Sequence, residues 1–160
     1  MVVSVGGTAM FMHFAVGLAL LTQEPGWQFA DWGMTPEEVV AASGGTAELV
    51  PGDGDGLRPT GEHLATGTYA FGQFRFGVEF RFHDGHLSRV DLRPQQGRCA
   101  DIEAFLQQKY GQEEAYSPAR GAWLWRVPQA NTWVQYGGGP GLNDCVVIYG
   151  AIEHAGNAGL

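Results

Sequence analysis

The chain has 160 residues and a formal net charge of −8, with 44% hydrophobic and 16% charged residues. This length and composition are typical of one folded domain with its own core, and they exclude a disordered chain. Residues 1–73 carry eight acids and one base, whereas residues 74–160 carry nine acids and eight bases. Because no stretch forms a basic stripe, nucleic-acid binding is not expected. The chain has one lysine, Lys109, and eight arginines, and we attribute this ratio first to compositional bias and only second to function.

Residues 1–26 are predicted to be a signal peptide or an apolar N-terminal segment. Residues 9–21 form an apolar run that only His13 interrupts, which is too short to span a bilayer but fits a signal-peptide core. No Lys or Arg precedes the run, so a buried strand or helix stays open as the alternative. Export is favoured, which implies a periplasmic or secreted protein, or a cytoplasmic one if the segment is not a signal. Residues 27–153 are expected to form a single α+β domain, with residues 154–160 as a flexible tail.

A short helix is predicted to begin at Pro36. Thr35 can cap it, proline suits the first helical position, and Glu38 completes a capping box. Glu37 also lies in the first turn, where the helix dipole favours negative charge. Ser43, which two glycines follow, is expected to end the helix, and a short strand comes next.

Residues 66–92 are predicted to form a three-stranded antiparallel meander. Along the middle strand apolar residues alternate with polar ones or glycine, which indicates one buried face and one polar face. Residues 84–85, Asp-Gly, favour a two-residue turn, but that turn would pair Val78 with Asp91 and mix the faces. A three-residue loop that includes the preceding histidine is therefore preferred, because it pairs Val78 with Val90.

A second helix is predicted over residues 101–110, and three more strands follow it. Both halves thus share the order helix, then antiparallel meander, and sheet hydrogen bonds can continue between them. The predicted fold class is α+β: an antiparallel sheet of about six to seven strands with two short helices on one face. Cys99 lies at the start of the second helix and Cys145 at the start of the last strand. If that strand runs beneath the helix start, a disulfide can form, and an exported protein would keep it; two separately buried thiols are the alternative.

Residues 33–39, Gly-Met-Thr-Pro-Glu-Glu-Val, resemble the Gly-Met-Thr opening of small bacterial envelope proteins. Residues 80–90 are similar to the F-x-F-x-x-G-x-L-x-x-V strand pair of the same proteins. Two groups share these features: the outer-membrane-assembly lipoproteins of the SmpA/OmlA type, and the repeat unit of the β-lactamase inhibitor proteins. The resemblance implies short helices on an antiparallel sheet, an envelope location and the binding of other proteins.

No catalytic or cofactor signature stands out from the sequence. None of the four serines lies in a G-x-S-x-G elbow, and capping explains the two glutamates of the first helix. His83 and His86 flank a turn but lack a third metal ligand near them in sequence. We therefore predict no catalytic residue, no cofactor and no metal site.

The sheet face that points away from the helices is predicted to carry mixed charges. A solvated surface is the ordinary interpretation, and a contact surface for a protein partner is the alternative. Trp123 and Trp125 share one strand face, for which core packing is preferred over a binding platform, whereas Trp133 points to the other side. The candidate partner surface comprises Arg75, Glu79, Arg81, Arg89, Arg93 and Trp133.

The predicted function is a non-catalytic protein-interaction or structural module of the cell envelope, with another envelope protein as its partner. The first alternative is a protein that binds a small apolar ligand between helices and sheet, which predicts a sizeable apolar cavity. The second is a hydrolase with scattered catalytic residues, which predicts a polar cleft with a strongly perturbed titratable group. No nucleic acid and no stable transmembrane span are expected.

Overall fold

Two helices and one large antiparallel sheet dominate this computed structural model, which describes residues 26–52, 61–117, 121–138 and 144–152. The predicted signal segment, apart from its last residue, and the predicted tail lie outside these ranges. In chain order the elements are β1 (Gly26–Trp27), β2 (Ala30–Asp31), α1 (Pro36–Ala42), β3 (Ala47–Leu49), β4 (Glu62–Phe71), β5 (Phe74–His83), β6 (His86–Gln96), α2 (Cys99–Tyr110), β7 (Ala115–Ser117), β8 (Ala122–Val127), β9 (Thr132–Gly137) and β10 (Val146–Ala151), with a 3-10 turn at Pro128–Ala130.

The sheet has eight strands in the order β3-β4-β5-β6-β10-β9-β8-β7, and β1 and β2 form a separate hairpin. The two halves of the chain meet where β6 pairs with β10, so hydrogen bonding continues between them as predicted. The α+β class, with an antiparallel sheet and two helices, is confirmed. Sequence reasoning did not identify β7 or the hairpin strands β1 and β2, because segments of two or three residues are too short to show an alternating pattern.

The structure shows each feature that the sequence predicts at the start of α1. The Thr35 side chain accepts a hydrogen bond from the Glu38 backbone N–H at 3.3 Å, and the Glu38 carboxylate accepts one from the Thr35 N–H at 2.8 Å. Pro36 occupies the first turn. The helix buries Val39 completely, and this residue belongs to the same core cluster as the buried residues of α2. Both helices therefore contribute to one core.

The predicted pairing of β5 with β6 was wrong. The turn at residues 84–85 has two residues, both with positive φ, as the Asp-Gly dipeptide favours. A bulge near Phe82 then shifts the register by one residue, so Val78 faces Leu92 and not Val90. The turn preference and the hydrophobic pattern are both satisfied, because the bulge restores the pairing of apolar residues that the short turn alone would have broken.

The tryptophans of the second half divide between the two faces of the sheet. Trp125 is only 2% exposed and lies in the core, and Trp123 is partly buried against that core. Core packing, the preferred interpretation for this pair, is what the structure shows. Trp133 lies on the opposite face, as the alternation predicted.

Candidate functional site

Helix α2 is fixed at both ends and spans the sheet between them. At its start Cys99 forms the expected disulfide with Cys145, with the two Cα atoms 5.9 Å apart, and the Tyr136 hydroxyl donates to the Cys99 carbonyl at 3.1 Å. At its end the Trp125 indole N–H donates to the Gly111 carbonyl at 3.0 Å. Between these anchors α2 brings few backbone atoms close to the sheet, whereas α1 packs closely on β3 and β4. Space remains beneath the helix.

This space is a cavity of about 670 Å³, within the range of small-molecule sites. The core face of β4, β5, β6 and β10 forms its floor, α2 its roof and the β1–β2 hairpin one side. Of the fourteen described residues that line it, seven are aromatic, four are aliphatic, and Gln28, Gln108 and Lys109 are polar. The aromatic members are Trp27, Tyr69, Phe71, Phe74, Phe76, Phe105 and Tyr149.

Contacts between aromatic rings define the cavity wall. The ring centroid of Trp27 lies 5.2 Å from that of Tyr69 in an edge-on arrangement. Phe105 of α2 lies 4.8 Å from Phe71 and 6.1 Å from Phe74, so the helix contacts the β4–β5 turn through its rings. Phe71 nevertheless stays 46% exposed. A half-exposed aromatic ring that lines a cavity is available to a ligand.

Hydroxyl groups provide polar contacts at the cavity. The Tyr110 hydroxyl donates to that of Tyr149 at 3.4 Å, and the Gln28 amide donates to the Tyr69 hydroxyl at 3.2 Å. Burial raises the pKa of Tyr149 well above its ordinary value, and the neighbouring Tyr110 adds to this rise. Burial also raises the pKa of Tyr69. These phenols are neutral near pH 7, so they act as hydrogen-bonding groups and not as bases.

An ion-pair network occupies the opposite face of the sheet. Arg81 contacts Glu79 at 3.0 Å and Asp91 at 3.3 Å, while Arg89 donates to Asp91 at 2.9 Å and Arg93 pairs with Glu79 at 3.0 Å. Asp91 is 1% exposed, so two arginines compensate a buried carboxylate. Burial alone would raise the pKa of Glu79, but hydrogen bonds from Arg93 and Arg81 outweigh it and hold that pKa below its ordinary value.

The six residues of the candidate partner surface lie on this charged face. Three of them, Arg81, Arg89 and Trp133, are mostly buried. Arg81 and Arg89 have side chains that are 15% and 22% exposed, and both are held by the network. Trp133 is 7% exposed. Its indole N–H donates to a backbone carbonyl of β10, so the ring is a packed element and not a free platform. Arg75 and Arg93 are the cationic members that remain accessible.

The described ranges offer no metal site, since no group of three or more His, Cys, Asp or Glu side chains converges within them. His86 lies with its Nδ1 atom 2.9 Å from the Gly33 carbonyl, and His83 lies 3.7 Å from Asp84. His83 thus contacts the turn, whereas His86 contacts the backbone that precedes α1. Nor does any helix in these ranges have the length and apolar character needed to cross a membrane.

Most cavity residues were not identified as a site from the sequence. The i, i+3, i+4 spacing of Ile102, Phe105 and Leu106 indicates one apolar face of α2, but no pattern in the sequence shows which residues of β4 and β10 lie opposite that face. A second signal is Lys109, the single lysine, which is attributed above first to compositional bias and only second to function. In the structure Lys109 lines the cavity, so this signal does mark a residue of the site.

The fold and the site together define an α+β protein with an eight-stranded antiparallel sheet and an aromatic cavity beneath its second helix. No protein-family model matches the chain, and no significant match is found among curated proteins or solved structures. The resemblance to bacterial envelope proteins therefore stays an expectation.

Proposed function

We propose that the protein is a non-catalytic binding protein of the cell envelope, and that it holds a small, mainly apolar molecule in the cavity beneath α2. The observation that carries this proposal is the cavity itself, with about 670 Å³ of space and eleven apolar or aromatic residues among the fourteen described residues that line it. Small-molecule sites are mostly apolar with a few polar groups. Protein interiors are otherwise closely packed, so an apolar space of this size that solvent can reach is a candidate ligand site.

The disulfide supports the exported location. Structural disulfides persist in oxidising compartments and are rare in the cytosol. The Cys99–Cys145 bond joins α2 to β10 and so belongs to the framework of the cavity. The resemblance of residues 33–39 and 80–90 to envelope proteins points to the same compartment.

We expect the neutral aromatic probe N-phenyl-1-naphthylamine to bind wild-type protein saturably at one site. The variant Phe71→Ala should bind it about ten-fold more weakly, because an aromatic contact contributes about 1 kcal/mol beyond the apolar area that it buries. Phe71 is half exposed, so its removal should change stability little. A fluorescence titration gives both dissociation constants, since the emission of the probe rises in apolar surroundings.

Leu49→Ala is the matched control for this titration. Leu49 is 50% exposed on the edge strand β3 and does not line the cavity. Its variant should bind the probe as tightly as wild type. Absence of saturable binding to wild type, or equal weakening by both variants, would contradict the proposal.

Contact with a protein partner through the charged sheet face is the second candidate function. The observation that favours it is that both described helices contribute to the core on the other face, which leaves Arg75 and Arg93 accessible. Both side chains are cationic, and the chain as a whole is acidic. An acidic patch on an envelope protein would complement them.

Reversal of Arg75 and Arg93 to Glu should abolish capture of a partner from an extract of exported proteins of the native host. Arg75→Glu should alter stability by about 0.5 kcal/mol or less, because that side chain lies at the surface. Arg93→Glu should cost about 1 kcal/mol, because it replaces the ion pair with Glu79 by two like charges. Arg81 and Arg89 are unsuitable for this test, since they compensate the buried Asp91. The charge-reversal control is Arg98→Glu, which lies outside this face. If capture survives the double reversal, this surface is not the partner site.

A further inference from the structure

Lys109 lies where two cavities adjoin. It lines the cavity of about 670 Å³ beneath α2 and also a smaller one of about 220 Å³. Trp27, Gln28 and Tyr149 border both cavities as well. Hydrogen-bonding groups and one positive charge are therefore concentrated at this junction, whereas the walls of the larger cavity are mainly apolar.

The Lys109 ammonium has no carboxylate partner in the part of the chain that the structure describes. It makes a cation–π contact with the Tyr110 ring, whose centroid lies 4.9 Å from Nζ. Five described arginines, by contrast, each pair with an Asp or a Glu. The last turn of α2 favours a cation through the helix dipole, but it provides no counter-ion.

Lys109 is exposed, so its charge acts at the edge of the cavity. Burial raises the pKa of Tyr69, and the positive charge of Lys109 lowers it in part, so the ammonium is electrostatically coupled to the hydroxyl. Gln28 donates to the same hydroxyl. Its φ of +56° is left-handed, which is uncommon for a glutamine. Gln28 and Lys109 both line the two cavities, so the hairpin turn contributes an amide to the same junction.

We propose that the ligand is an amphipathic monoanion, with an apolar or aromatic body beneath α2 and one anionic group, such as a carboxylate, at Lys109. This inference rests on the proposed ligand-binding function and specifies its ligand class. A single ammonium balances one negative charge. A phosphate dianion would call for a second cation, and the described residues that line the two cavities include no arginine and no other lysine.

Two probes that differ by one charged group test this inference. N-phenyl-1-naphthylamine is neutral, and 8-anilinonaphthalene-1-sulfonate is the same ring system with a sulfonate. Wild-type protein should bind the sulfonate probe more tightly than the neutral one. The ratio of the two affinities should fall about five-fold in Lys109→Met and be retained in Lys109→Arg, because a partly screened ion pair contributes an effect of this order.

Arg126→Gln is the control for a change in net charge, since Arg126 is half exposed, lies on the other face and does not line the cavities. It should leave the ratio unchanged. If Lys109→Met weakens both probes equally or leaves the ratio as in wild type, the monoanion inference is overturned while neutral-probe binding still supports the cavity. If wild type binds neither probe, the proposed function fails and the inference fails with it.

Discussion

Removal of the Cys99–Cys145 disulfide should lower the free energy of unfolding by about 4 kcal/mol, as the chain-entropy model gives for a closed loop of this length. The two cysteines are 46 residues apart in sequence. The bond also fixes the start of α2, so its loss should weaken probe binding as well as stability. Urea unfolding of Cys99→Ala/Cys145→Ala beside oxidised wild type measures the first effect, and the neutral-probe titration measures the second.

Reduced wild-type protein is the control that separates loop closure from packing. It keeps both sulfur atoms, whereas the double alanine variant also leaves space around position 145, which is 3% exposed in wild type. If loop closure is the cause, reduced wild type and the double alanine variant should lose nearly the same free energy of unfolding. A loss below about 1 kcal/mol in reduced protein would mean that other contacts hold α2 in place.

Asp91→Ala should lower the free energy of unfolding by about 3 kcal/mol, the lower end of the range for breaking a buried ion pair. Asp91 is 1% exposed, and its carboxylate compensates Arg81 and Arg89. Without it, two mostly buried guanidinium groups would repel each other across β5 and β6. We expect a value at the lower end of that range because the side chains of Arg81 and Arg89 both keep some contact with water. Urea unfolding again provides the measurement.

Asp101→Ala is the matched control, because Asp101 is partly exposed near the start of α2 and pairs with Arg98, whose side chain is 82% exposed. Its loss should be much smaller, since water screens exposed pairs. Equal losses in the two variants would contradict a structural role for the buried network. A large loss at Asp91 alone would mean that this part of the charged face stabilises the sheet, and that a partner could use only its accessible margin.

Local signals in the sequence predicted much of the fold. The capping box of α1 depends on residues three positions apart, and the alternation of β5 depends on neighbours, so both are visible in the chain itself. The register of β5 against β6 was not predictable in this way. A bulge near Phe82 accommodates both the turn and the hydrophobic pattern, and no single dipeptide marks it.

The cavity could not be predicted in detail, because it depends on how far α2 stands from the sheet. That distance is set by contacts between residues far apart in sequence, such as the hydrogen bond from Trp125 to Gly111 and the disulfide at the other end of the helix. The charged face illustrates the same limit. Alternation placed Arg81 and Arg89 there, but only the pairing of strands reveals that they compensate Asp91.

The most direct test of the ligand-binding cavity is a map of backbone amide chemical shifts while ¹⁵N-labelled wild-type protein is titrated with N-phenyl-1-naphthylamine. We expect the changes to concentrate in α2, in the β1–β2 hairpin and in the parts of β4, β5 and β10 that line the cavity. The same titration should leave the amides around Leu49 and Arg126 unchanged. Changes that cluster on the charged face, or none at saturating probe, would contradict a ligand site beneath α2.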